Sequence, residues 1–281
     1  MEKKEIVFSE LKSHLLAPGN IFWKKISGQE VLISKKGDLC NLNLIEKIQL
    51  SKQKVLIEDE VDRTMLLHAK ELFHAYEEEI LMKKKIEYKN KIFQFLEENF
   101  IKNEKTQFEF NLIFWMTFSN VEFSDGAKFV EKDRDCFIRS LTIASNLTFM
   151  AMLLGYYEMN FLKNLFSKTI NDYFYLLDKN SGLTLKDFCE LFHENKIEKE
   201  EMQKKFELDE KSLLLLQSKK GTQLTNEYSD LERLFIELNE SYDFRSLDEK
   251  NFLLKLKEKS INMESKFYFP FENCFGDEKV A

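Results

Sequence analysis

Proline and glycine are scarce, at 2 and 8 in 281 residues. A loop-rich all-β chain needs many turn residues and a collagen-like one needs more, so both are excluded and long helices are the natural alternative. Arginine is scarce too. Only Arg63, Arg134, Arg139, Arg233 and Arg245 are present, and 42 Lys+Arg against 49 Asp+Glu leave a net charge of −7. General nucleic-acid binding is not expected from such a chain, because phosphate contacts need clustered positive charge. Cys40, Cys136, Cys189 and Cys274 are scattered with no CxxC spacing. Reduced thiols in a cytoplasmic protein are therefore expected, rather than a disulfide framework or structural zinc. The start MEKKEIVFSELK has charges on both sides of a short apolar stretch, which is not the pattern of a secretory signal. The run Ser140 to Tyr157 is free of charge, but Ser140, Thr142, Ser145, Asn146 and Thr148 interrupt it. It predicts a buried core helix and no membrane span.

What is present is apolar bulk. Hydrophobic residues make up 43% of the chain, including 27 Phe, which is enough for a real core and too much for disorder. At about 150 residues per domain, the length suggests about two domains. Up to about Asp59 the pattern is short and alternating. EIVFSEL, IFWKKI, EVLISKK and KVLIED read as strands, punctuated by Ser27-Gly28 and Lys36-Gly37-Asp38. Asn41 caps a small helix carrying Leu42, Leu44, Ile45 and Ile48. Beyond residue 60 the periodicity is helical. Met65, Ala69, Leu72, Tyr76 and Ile80 line one face of a helix that can run on through Phe93, Leu96 and Phe100. The Lys83-Lys84-Lys85 run within it reads as a solvated face, with a membrane-surface or anion site as the alternative. Phe110, Phe114, Trp115 and Phe118 supply core in a block from Glu109 to Val121, and Ser124-Asp125-Gly126 reads as a turn. Tyr228, Leu231, Leu234, Phe235, Leu238 and Tyr242 form a further stripe. The expected organisation is a small α+β amino-terminal domain, residues 1–60, followed by a mainly α bundle over residues 61–281.

Few groups suggest chemistry. HExxH, GxSxG, GxxxxGK[ST] and GxGxxG are all absent. His68 and His74 are six apart, poor spacing for two ligands on one helix, so surface or packing roles are expected. Cys189 and His193 could touch at i and i+4, but nothing suggests a third orienting group for a catalytic thiol.

The informative region begins at Asp135. In the string DRDCFIRSLTIASNLTFMAMLLGYYEMNFLKNLFSKTINDYFYLLDKNSGLTLKDFCELFH, a helix rich in Ala, Leu and Met ends in Leu154-Gly155-Tyr156. Phe161 to Leu165 then lead into Thr169-Ile170-Asn171-Asp172, and KNSGLTLKDFCELFH delivers His193. LLLLQSKKGTQ and LERLFIELNESYDF follow. In order and in these local matches, residues 135 to 250 resemble the HD-GYP family, helical phosphohydrolases that cut cyclic dinucleotides at a centre of two or three iron or manganese ions. The amino-terminal unit and long helix look like the accessory region that precedes such domains in some regulators.

The resemblance implies an HD-like helical bundle, and it also marks where the ligands should lie. Asn171 stands in place of the His of the His-Asp pair, while Asp172 and His193 are retained. Ser218 and Lys219 fall where two further His are expected, Asn239 falls where a later Asp is expected, and no Gly-Tyr-Pro follows Gly221. Near the first expected His there is only Asp135 or Cys136. Two retained ligands are too few for two ions, and a Lys in the set repels them. The expectation is a degenerate signalling protein with no metal cofactor that binds or scaffolds a protein partner. Binding of a cyclic dinucleotide and assembly into a homo-oligomer stay open. One alternative is an active phosphodiesterase using Asp135, Asp172, His193 and Glu227. Another is a metal-free nucleotide sensor in which Lys219 and Lys220 hold phosphate. The aromatic residues Phe22, Trp23, Phe114, Trp115, Phe267, Tyr268, Phe269, Phe271 and Phe275 are candidate contact surfaces, with core burial the alternative for the helical ones.

Overall fold

A computed structural model describes residues 3–12, 14–96, 98–99, 107–153, 156–179 and Leu231. The described residues are mostly helical, with one small four-stranded antiparallel sheet near the amino terminus. Contacts divide the chain into two units, one of residues 1–96 and 105–137 and the other of 97–104 and 138–281.

In the first unit, β1 (Lys4–Glu5), α1 (Phe8–Leu11), β2 (Asn20–Lys24), β3 (Glu30–Ser34), α2 (Leu42–Leu50) and β4 (Lys54–Glu58) follow in chain order. The sheet order is β1-β4-β2-β3. Period-two alternation sends Ile21, Val55 and Ile57 to one face, where they form a core with Leu11 of α1 and Ile45 and Ile48 of α2. On the other face Phe22 stands opposite both Leu32 and Leu56, with the Lys3 ammonium 3.8 Å above its ring. Gly28 and Gly37 both take positive φ, which is why those turns use glycine. The Asn41 side chain accepts from the Leu44 N–H at 3.2 Å, the cap that its position before the apolar run predicts.

The EIVFSEL segment is not a strand throughout. The strand ends at Glu5, a last backbone hydrogen bond runs from the Ile6 N–H to the Val55 carbonyl at 3.0 Å, and Phe8–Leu11 turns into α1. The reason is Gln49 of α2, whose side chain accepts from the Phe8 N–H at 2.6 Å and donates to the Ile6 carbonyl at 2.7 Å. That amide supplies the partners a neighbouring strand would otherwise provide.

Four helices complete or leave this unit: α3 (Arg63–Glu78), α4 (Met82–Leu96), α5 (Gln107–Phe118) and α6 (Phe123–Lys132). The long helix expected from Met65 onward is two helices. Its apolar stripe is buried at Met65, Ala69 and Tyr76, but the backbone turns extended at Glu79, and Ile80 stands in solvent. α4 then returns beside α3, bringing Phe95 edge-on to His68 at 5.5 Å and the Lys85 ammonium 5.3 Å over the Tyr76 ring. α5 is buried over much of its circumference, as expected of a helix in which Phe110, Leu112, Ile113, Phe114, Trp115 and Phe118 leave no polar face. Its Phe110, Phe114 and Phe118 rings follow one another at 4.4 and 5.3 Å, and Phe73 of α3 meets Phe118 at 5.1 Å. Phe114 and Trp115 are thus core residues and no contact surface.

Ser124-Asp125-Gly126, expected as a turn, lies inside α6. Gly126 serves close packing instead. A Cβ there would come within 2.9 Å of the Leu15 side chain and 3.1 Å of the Trp115 ring.

The second unit contains most of α7 (Arg134–Leu153) and all of α8 (Met159–Lys179). α7 holds the charge-free run, and Ser140, Leu141, Ile143, Ala144, Leu147 and Met150 are all buried, as expected of a core helix. Among the described residues, no helix is long and apolar enough to cross a membrane.

Candidate functional site

α8 forms because Leu162, Leu165, Phe166, Thr169, Ile170, Tyr173 and Leu177 recur at spacings of three and four, and all are buried. That stripe fixes what Asn171 and Asp172 can do. Asn171 follows the wholly buried Ile170 and is itself exposed. Asp172, at the margin of the stripe, keeps only 14% of its side chain in contact with solvent, and its carboxylate forms an ion pair with the Lys168 ammonium one turn earlier. At Asn171 and Asp172 the fold thus presents an exposed amide and a carboxylate already paired with a cation.

Asp135 lies in the first turn of α7, in the first unit, and its largely exposed carboxylate is 3.4 Å from the Arg134 guanidinium. Cys136, next to it, is buried, and its N–H donates to the Asp133 carboxylate at 2.9 Å. Asp135 is thus a solvated acid beside a guanidinium, and the Cys136 thiol is enclosed. His193, Ser218, Lys219 and Asn239 lie outside the described residues, as do Glu227, Lys220, Cys189 and the aromatic residues from Phe267 to Phe275. Among the described residues, no group of three or more His, Cys, Asp and Glu could hold a metal ion.

The remaining described histidines have structural settings. His68 is exposed and packs edge-on against Phe95, and His74, also exposed, lies 3.3 Å from the Glu78 carboxylate. His14 is buried, with its backbone N–H donating to the Leu11 carbonyl at 2.8 Å.

One feature of the first unit was not visible in the sequence. A groove of about 730 Å³ runs beside β3 and the start of α2, lined among others by Leu32, Ser34, Asp38, Asn41 and Glu131. Cys40 is at its floor, and burial pushes its thiol up to about 12. A thiol so held is protonated near neutral pH and is no nucleophile. Arg134 bridges across 97 residues to the Gly37 carbonyl at 3.1 Å and meets the Asp38 carboxylate at 3.0 Å, so the acid at the groove's edge is ion-paired. The Lys36-Gly37-Asp38 turn is legible in the sequence. That a distant arginine docks on it is not, because no local pattern links the two.

Neither a protein-family model, nor a curated protein, nor a solved structure matches the chain.

Proposed function

We propose that the chain is a degenerate HD-GYP-like signalling protein that has no hydrolytic centre and works as a binding or scaffolding module. The observation that carries this reading is the Asp172–Lys168 ion pair. In a metallohydrolase each ion lowers the pKa of a bridging water and clamps phosphate oxygens, and its carboxylate ligands must be free to meet it. Here the positive charge beside Asp172 comes from a lysine on the same helix. The neighbouring Asn171 offers an amide oxygen, a much weaker ligand than imidazole for iron or manganese, and it is turned outward. The buried stripes of α7 and α8 are consistent with a helical frame that outlives its chemistry.

The full-length protein, supplied with Mn2+ or, anaerobically, with Fe2+, is incubated with a cyclic dinucleotide and the products are separated by chromatography. The expected result is no linear product above the protein-free control. Turnover that is abolished by Asp172→Ala would contradict the proposal and support the active phosphodiesterase.

A further inference from the structure

The corner between α3 and α4 is built from Glu79, Ile80 and Leu81. The Glu79 carboxylate folds back and accepts from the backbone N–H groups of Ile80 and Leu81 at 3.0 and 2.9 Å. The polar group thus closes the turn from within. The apolar side chains are left outside, with Ile80 91%, Leu81 59%, Met82 73% and, one turn into α4, Ile86 52% exposed. Single exposed apolar residues are ordinary, but four large ones clustered at one corner mark a contact surface.

Charge at this corner is arranged along the chain. Lys83, Lys84 and Lys85 follow the apolar group directly, with Lys89 and Lys91 further along α4. The carboxylates nearby are Glu77, Glu78, Glu79 and Glu87. Glu79 is held in the turn, 4.0 Å from Lys84, and Glu78 faces His74 on α3. The α4 side of the apolar cluster is therefore basic.

We infer that this corner is a peripheral contact with an anionic lipid bilayer, in which Ile80, Leu81 and Met82 enter the headgroup region and the exposed Lys83 and Lys84 lie among lipid phosphates. The shape favours a bilayer over a protein groove. A groove that accepts a helix reads anchors at i, i+3, i+4 and i+7 along one face, whereas Ile80, Leu81 and Met82 are consecutive and exposed at the tip of a turn. An apolar turn tip flanked by lysines can meet an anionic headgroup layer without that helical spacing. The net charge of −7 does not prevent attraction, because at physiological salt charges are screened beyond roughly 8 Å and the local lysines govern.

The inference is independent of the proposed function and uses different residues. Full-length protein is sedimented with vesicles of phosphatidylcholine alone or mixed with phosphatidylserine, at low and at physiological salt. Binding is expected to the mixed vesicles only and to weaken with salt. It should fall about tenfold or more in Lys83→Glu/Lys84→Glu and likewise in Ile80→Asp/Leu81→Asp. In a Leu81→Trp variant the added emission should shift to the blue when mixed vesicles are present. No sedimentation with mixed vesicles, or no shift in Leu81→Trp emission, would overturn the inference. So would a loss confined to the lysine variant, which would point to a simple anion site or an acidic protein surface.

Discussion

Cys40 shows how one buried group couples the fold to pH. Its thiol is enclosed among β3, α2 and their neighbours, and burial moves it from an ordinary value of 9.0 up to about 12. The folded state therefore keeps a proton that the unfolded chain releases. The stability that depends on it is fully present below pH 9 and is lost as pH rises toward 12. Over that window the slope for one such group is about 1.4 kcal/mol per pH unit. Other groups titrate in the same range, so the comparison is with Cys40→Ala, whose cavity cost does not depend on pH. Urea unfolding at a series of alkaline pH values should show the wild-type advantage shrinking from pH 9 upward. A constant difference would contradict the enclosed thiol. Gly126 and Asp172 make a related point about reading single residues. The Ser-Asp-Gly sequence around Gly126 has the composition of a turn, and only the approach of Leu15 and Trp115 reveals a packing glycine. Asp172 is recognisable by its place after Asn171, but its partner Lys168 emerges only once the helix brings residues four apart together.

At the scale of elements, side-chain caps mark where α2 and α3 begin. The Asp62 side chain accepts from the Met65 N–H at 3.1 Å and starts α3, while the following apolar residues anchor it. Asp62→Ala should cost about 1 kcal/mol, measured as a shift in urea midpoint with an unchanged slope. A shift within error of zero would show that α3 is held by packing alone. The same element shows how far periodicity reaches. Helical spacing from Met65 to Tyr76 is legible in the sequence and is obeyed. The end at Glu78 is not, because Ile80 continues the period, and the stop comes from one carboxylate capturing two amides at the corner. The strands β2, β3 and β4 and the Asn41 cap are equally legible, since alternation and cap chemistry are local. The switch from β1 to α1 is set by Gln49, more than forty residues away, and local pattern is silent about it.

At the scale of the whole molecule, the chain joins a sheet-and-helix unit to a unit whose described helices α7 and α8 are largely buried. The mostly helical architecture follows from few glycines and prolines and abundant apolar bulk, and it was readable for that reason. The proposed loss of hydrolytic function rests instead on side chains that must converge from several helices. Of the positions the resemblance marks, Asn171 and Asp172 fall within the described residues, as do Asp135 and Cys136 near the first expected His. Asn171 is an exposed amide, and Asp172 is a largely buried acid paired with Lys168. The measurement that bears most directly on this is the iron and manganese content, by inductively coupled plasma mass spectrometry, of full-length protein purified without chelator. The account predicts far less than one ion per chain. Two ions per chain, with Asp172→Ala releasing them, would contradict it.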